Sequence, residues 1–217
     1  MTLDLFPDEP AVEPGEESIA PGALLLRGLA HSHGPALLEA VTAVTSRSPL
    51  RFMSTPGGYQ MSVAMTNCGA AGWITDRTGY RYGAIDPVTG NPWPAMPAAF
   101  ATLAAVAAAR AGFGAFTPDA CLINQYEPGS RMSLHQDRNE LDFTAPIVSV
   151  SLGLPAVFLF GGARRADKPQ RVALAHGDVV VWGGPARLRF HGVQPLKDGE
   201  HPLTGRRRIN LTFRKAL

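Results

Sequence analysis

The chain carries six histidines, His31, His33, His135, His176, His191 and His201, and two of them open an H-x-D triplet: His135-Gln136-Asp137 and His176-Gly177-Asp178. Two imidazoles and one carboxylate on one side of a ferrous ion leave open the positions that a bidentate co-substrate and dioxygen need. A triplet supplies one imidazole and the carboxylate, so the second imidazole has to come from a distant strand. The two triplets sit in different settings. His176-Gly177-Asp178 lies between two apolar runs, Arg171–Leu174 and Val179–Trp182, and reads as a glycine turn. Hairpin register would still bring Asp178 near His191, which leaves that triplet in play. His135-Gln136-Asp137 follows Pro128-Gly129 inside the polar stretch Arg131 to Asp142, where packing has no use for an imidazole. The candidate metal ligands and catalytic centre are therefore His135, Asp137 and His191.

The C-terminal run Arg206-Arg207-Arg208-Ile209-Asn210-Leu211-Thr212-Phe213-Arg214 alternates in type. On an extended chain Arg208, Asn210, Thr212 and Arg214 share one face, and Ile209, Leu211 and Phe213 share the other. A guanidinium fork matches a carboxylate through two parallel hydrogen bonds. The polar row either faces solvent, where the arginines would meet nucleic acid, or faces inward as a carboxylate clamp. Beside a strand that supplies His191, a dicarboxylate site is the sharper reading.

These residues need a scaffold of short strands. The chain of 217 residues is 45% hydrophobic and 18% charged, which excludes a wholly disordered chain. Its 23 glycines and 19 prolines suit many turns. Cys68 and Cys121 are the only cysteines, so a disulfide framework and a four-cysteine zinc site are excluded and a reducing, cytoplasmic location is expected. No apolar run is long enough to span a bilayer, and the N-terminus carries acids rather than the basic region of a signal peptide. The net charge is +2, yet residues 164–215 hold twelve bases against four acids, and Arg outnumbers Lys by 17 to 3. Such a half suits an anionic partner or is a solvated face.

Along the chain, residues 1–20 read as an acidic flexible tail and Ala23–Arg27 as a strand. Pro35–Arg47 and Pro97–Arg110 read as helices from their apolar spacing. Residues 50–95 mix Gly, Pro, Thr and aromatics without a strong period and read as a functional lid. From Asp119 the rhythm is strand, turn, strand: Ala120–Tyr126, Ile147–Leu152, Val157–Phe160, Arg171–Leu174, Val179–Trp182, Leu188–Gly192 and Arg208–Arg214. That spacing predicts a jelly-roll double sheet, hence an α+β, mainly β chain. It divides into a tail (1–20), an N-terminal extension with two helices and the lid (21–118), and a catalytic core (119–217).

Taken together, these motifs resemble the AlkB family of Fe(II)- and 2-oxoglutarate-dependent dioxygenases, which repair alkylated nucleobases. The resemblance runs from Leu3-Asp4-Leu5-Phe6 to Phe213-Arg214. It is most specific in Thr55-Pro56-Gly57-Gly58-Tyr59, in Ser62 to Gly69, in Leu134-His135-Gln136-Asp137, in Ile147 to Pro155 and in Asn210-Leu211-Thr212-Phe213-Arg214. The order H-x-D, H, R-x-N-x-x-x-R is kept. The resemblance implies a double-stranded β-helix and iron ligands at His135, Asp137 and His191. It implies 2-oxoglutarate binding on Asn124, Gln125 and Tyr126 and along Arg208, Ile209, Asn210, Leu211, Thr212, Phe213 and Arg214. It places the substrate cavity at Trp73, Tyr80, Arg81, Tyr82, Asn139 and Arg165.

The chemistry it implies is oxidative demethylation of bases of the 1-methyladenine and 3-methylcytosine type. Fe(II) is the cofactor, and 2-oxoglutarate and O2 are co-substrates. The products are succinate, carbon dioxide, formaldehyde and an intact base. The expected partner is alkylated DNA, single-stranded or with a flipped base, with RNA as a second substrate; no membrane partner and a monomer are expected. One position departs: many members carry H-x-D-x-D, and the last Asp is Asn139 here. An amide oxygen still accepts a hydrogen bond, but the charge is gone unless Glu140 or Asp142 replaces it. Two rival readings are an oxygenase acting on a protein or small molecule and a non-catalytic jelly-roll binding module.

Overall fold

The computed structural model describes residues 15–217. Three layers stack on one another: two helices, a large antiparallel sheet and a small antiparallel sheet. The large sheet has eight strands in the order β1-β2-β12-β9-β14-β7-β4-β3. These are β1 (Gly15–Ala20), β2 (Ala23–Arg27), β3 (Arg51–Ser54), β4 (Gln60–Gly69), β7 (Ala120–Tyr126), β9 (Ile147–Gly153), β12 (Val179–Trp182) and β14 (Arg208–Arg214). The small sheet has the order β11-β10-β13-β8, with β8 (Met132–His135), β10 (Ala156–Phe160), β11 (Gln170–Leu174) and β13 (His191–Val193). A separate hairpin joins β5 (Gly72–Asp76) to β6 (Gly79–Gly83).

Strand alternation sorts the side chains of the large sheet into two cores. On one face Val148, Val150 and Leu152 of β9, Val179 and Val181 of β12 and Ile209, Leu211 and Phe213 of β14 meet the helices. Helix α1 (Gly34–Thr45) contributes Leu37, Val41 and Val44, and α2 (Ala98–Arg110) contributes Phe100, Leu103, Ala104 and Ala107. On the other face Leu122, Ile147, Val180 and Trp182 pack against Phe158, Phe160 and Val193 of the small sheet. The polar residues of β14 share this second face, so they lie inside the sandwich.

Most expected elements appear close to their predicted places, and four differ. Residues 15–20 are not tail: β1 pairs with β2 from Gly15↔Arg27 to Ala20↔Ala23, and Arg27 binds Glu17 at 2.9 Å. The rest of the expected tail lies outside the described residues. The segment 50–95 is far more regular than its composition suggests, since β3 and β4 extend the large sheet and only the β5–β6 hairpin stands apart. Strand β8 forms inside the polar stretch Arg131 to Asp142, where no strand is expected. The strand expected at Leu188–Gly192 starts only at His191, after a short 3-10 turn at Gly184–Ala186.

The competing triplet is structural. Asp178, fully buried, accepts from Gly28 N–H and Ala175 N–H, each at 2.9 Å, and pairs with Arg27 at 2.8 Å. His176 Nδ1 accepts the Gly153 N–H at 3.0 Å. Gly177 between them adopts φ +84°, and a Cβ there would meet the His31 backbone at 2.6 Å, so only glycine fits the turn.

Candidate metal and co-substrate site

His135 ends β8 and His191 opens β13, and the two are directly paired across the small sheet. Their ring centroids lie 4.4 Å apart. Each Nδ1 faces a backbone carbonyl two residues back, His135 that of Ser133 at 2.9 Å and His191 that of Arg189 at 3.1 Å. Those bonds assign the proton to Nδ1 and leave both Nε2 lone pairs free for a ligand. The Nε2 atoms converge on the Asp137 carboxylate, at 3.8 Å from Oδ1 for His135 and 3.6 Å from Oδ2 for His191. One ligand atom from each of the three residues fits within 4.8 Å. Gly192 lets the two strands come this close, since a Cβ there would meet the Met132 carbonyl oxygen at 2.6 Å.

Electrostatics keep His135 and Asp137 in their metal-binding forms. Desolvation in the cleft, and then the neighbouring His191, push His135 down to about 4. Burial opposes ionisation of Asp137, but Arg214 and then His191 outweigh it and hold the carboxyl well below the usual range. Arg214 grips Asp137 Oδ2 with Nη2 at 2.8 Å and Nε at 3.0 Å. At neutral pH His135 is neutral and Asp137 anionic, as metal coordination requires.

A cleft of about 50 Å³ leads from this triad along β14 and β7. Asn124, Tyr126, Ser149, Arg208, Asn210, Thr212, Arg214 and Trp182 line it. Asn210 is fully engaged: its Nδ2 donates to Ser149 Oγ and the Val150 carbonyl, and its Oδ1 accepts from Thr212 and Asn124. Arg208 is not. It is 1% exposed, lies over the Tyr126 ring at 5.0 Å and donates from Nη2 to Ser151 Oγ at 3.0 Å, while its Nε and Nη1 have no partner. Burial lowers its pKa and, before Arg208 counters it, raises that of Tyr126. A buried guanidinium with two idle donors is costly unless an anion completes it. The cleft therefore presents a two-imidazole, one-carboxylate metal set and an unsatisfied carboxylate fork, which fits Fe(II) and a dicarboxylate such as 2-oxoglutarate.

Some expected contacts fall elsewhere. Ile209, Leu211 and Phe213 belong to the helix-side core and face away from the cleft. Gln125 pairs with Ile209, so strand alternation turns it to that same side. On the hairpin, Trp73 and Tyr82 are cross-strand partners, and Tyr80 stacks on Trp73 at 5.6 Å. Arg81 points to the other face, where Asp76 holds it at 2.7 and 3.0 Å. Arg165 donates to the Leu134 carbonyl and lies over Phe190 at 5.6 Å, against the strand that carries His135. Asn139 is exposed, 3.5 Å from the Tyr80 carbonyl. Neither neighbour replaces the missing charge: Glu140 is buried among Tyr82, Arg187 and Arg214, and Asp142 is closed on Thr144 at 2.6 Å. Sequence reasoning missed Arg187 and named Glu140 only as a replacement for the missing Asp charge, because their partners come from separate segments and leave no local pattern.

The family model of the 2OG-Fe(II) oxygenase superfamily matches residues 22–214. The chain is 60% identical over 214 residues to the alpha-ketoglutarate-dependent dioxygenase AlkB of Salmonella typhimurium, covering 99% of this chain and 98% of that one. Identity to the Escherichia coli protein of the same name is 58% over the same span. Among solved structures, that of OsALKBH1 superposes with a TM-score of 0.81 at 28% identity, covering 93% of this chain and all of that one. With the triad and the carboxylate fork in one cleft, these likenesses place the chain in the AlkB family of the 2OG-Fe(II) oxygenase superfamily.

Proposed function

We propose that this chain is an Fe(II)- and 2-oxoglutarate-dependent dioxygenase that removes N-methyl groups from bases of the 1-methyladenine and 3-methylcytosine type in DNA, and in RNA as a second substrate. The observation that carries the reading is one cleft with a ferrous-type ligand set at one end and an incomplete arginine fork inside it. His135, Asp137 and His191 hold the metal, and Arg208 takes the far carboxylate of 2-oxoglutarate. Bound Fe(II) supplies oxidation of the methyl group with dioxygen and 2-oxoglutarate. Arg214 keeps Asp137 anionic and oriented. No side chain has to act as a nucleophile.

The β5–β6 hairpin supplies the base platform. A flipped base costs a few kcal/mol to unstack, less when a methyl group has already broken its pairing. Stacking on Trp73 and Tyr80 returns about 1–3 kcal/mol per base. Exposed Arg131, Arg138 and Arg164 offer phosphate contacts. Asn139, by the carbonyl of Tyr80, accepts an exocyclic amino group without adding negative charge. The protein works as a monomer in the cytoplasm, and no helix among the described residues is long and apolar enough to cross a membrane.

The test is anaerobic loading with Fe(II), then addition of 2-oxoglutarate, oxygen and a single strand bearing one 1-methyladenine. Formaldehyde and a strand lighter by one methylene are expected together. Succinate formation with an unchanged strand would move the substrate to a protein or small molecule, and no 2-oxoglutarate turnover would remove the enzymatic reading.

A further inference from the structure

The loop that carries Asp137 has no strand ladder to hold it: residues 136–146 run irregularly between β8 and β9. Two residues with no role in the reading above hold it instead. Arg187, whose side chain is 3% exposed, closes the loop with one guanidinium. Its Nη1 donates to the Asp137 carbonyl at 2.8 Å, its Nη2 to Glu140 Oε2 at 3.1 Å and its Nε to the Ala145 carbonyl at 3.2 Å. Glu140, whose side chain is 1% exposed, is the shared acceptor. Its Oε1 takes the Tyr82 hydroxyl at 2.7 Å and lies 3.5 Å from Arg214 Nε, the arginine that grips the Asp137 carboxylate. Asp137 is thus held by its backbone through Arg187 and by its side chain through Arg214, and Glu140 touches both arginines.

Charge points the same way. Asp137 and Glu140 balance Arg187 and Arg214 in a buried quartet. Without Glu140 an excess guanidinium charge would lie beside the place where a divalent cation binds. We propose that Glu140 is a positioning residue for the metal centre: it fixes Arg187 and Arg214 on the two ends of Asp137 and cancels the charge that would repel the metal. The Tyr82 hydroxyl is a further donor to Glu140 and ties the recognition hairpin to it without carrying the metal effect. This rests on His135, Asp137 and His191 being the ligands, so the test includes a control for that.

The experiment is anaerobic titration with Co(II), reading affinity and the visible d–d spectrum, on purified full-length chain with thermal melts alongside. Wild type binds and His135→Ala does not. Loss of binding in wild type, or its retention in His135→Ala, would remove the ligand assignment itself. Glu140→Gln, nearly the same shape without charge, is expected to weaken Co(II) by about tenfold or more, the usual range for groups that orient a ligand, and to change the spectrum of the bound ion. Tyr82→Phe is expected to leave Co(II) affinity within about twofold. If Glu140→Gln loses melting temperature but binds Co(II) with wild-type affinity and spectrum, the residue is structural and the proposal falls. It falls too if Tyr82→Phe weakens Co(II) as much as Glu140→Gln does. Should Glu140→Gln not fold, Arg187→Lys keeps the charge but loses the fork. It is then expected to weaken Co(II) and shift its spectrum, and wild-type behaviour of that variant overturns the proposal.

Discussion

Replacement of Arg208 by Met removes the fork and keeps much of the side-chain length. A terminal carboxylate on Nε and Nη1, the two idle donors, would make two charge-assisted bonds, each worth roughly 1.5–3 kcal/mol. Their joint loss is about 3–6 kcal/mol, or roughly 10²–10⁴ in affinity at about 1.4 kcal/mol per tenfold. The ligand-free protein should respond in the opposite sense. Arg208 is fully buried with no carboxylate beside it, and desolvation lowers its pKa. Its removal therefore sheds an uncompensated charge, and the melting temperature without co-substrate should hold or rise. The assay is calorimetric titration of 2-oxoglutarate into anaerobic Co(II) protein, repeated with a 2-oxo acid that lacks the far carboxylate. Arg208→Met should weaken 2-oxoglutarate by at least about 10², while the shorter acid binds both proteins alike. A 2-oxoglutarate affinity within about threefold of wild type would refute the clamp, and an equal loss for the shorter acid would relocate the contact.

Four further outcomes follow from the same geometry. Trp73→Ala should weaken binding of a methylated strand by about 1–3 kcal/mol and leave 2-oxoglutarate affinity unchanged by calorimetry; equal loss of both would make Trp73 structural. His176→Gln should lower the melting temperature through the Gly153 bond yet keep Co(II) binding, and loss of Co(II) would return the second triplet to the site. Asn139→Asp should raise turnover of cationic 1-methyladenine relative to a neutral lesion severalfold, as a restored charge near a cation requires, read by competition in one reaction. Asp86, fully buried, accepts from Ser48 Oγ at 2.6 Å, from the Val88 N–H at 2.9 Å and from Arg51, which outweigh burial and hold its carboxyl down at about 2. A carboxyl depressed from 3.8 to about 2 stabilises the fold above pH 4, by about 2 kcal/mol, and that share disappears as pH falls toward 2. Asp86→Asn should thus be less stable than wild type in urea at pH 7 and converge with it near pH 2.

What was legible follows the period of each element. The C-terminal strand declares itself because its polar and apolar residues alternate without a break from Arg208 to Arg214, and its inward row is indeed the cleft wall. Helices α1 and α2 show their apolar spacing in the same way. Strand β8 hides because Met132-Ser133-Leu134-His135 is only four residues long at the edge of a small sheet, so its alternation is too brief to stand out from the polar residues around it. Strand β1 hides because its acids are exposed and its pairing with β2 is what holds it. Treating all of Arg208 to Arg214 as co-substrate contacts ignored the alternation that the same strand displays. Arg187 and the bracing role of Glu140 were beyond reach, since Tyr82 of β6, Arg214 of β14 and the loop residues Asp137 and Ala145 meet them from three segments.

The small and large sheets divide the work. The small sheet supplies both imidazoles by pairing His135 with His191, and backbone carbonyls alone set their tautomers. The large sheet supplies the arginines through β14, one for Asp137 and one with idle donors. Asp137 belongs to neither, so its position depends on side chains from both sides rather than on a ladder. Metal affinity should therefore respond most sharply to the groups that hold that loop, and co-substrate affinity to the arginine left incomplete. A substitution that damaged both equally while the fold stayed intact would show that the two halves of the cleft are one unit, contrary to the separation of their supports.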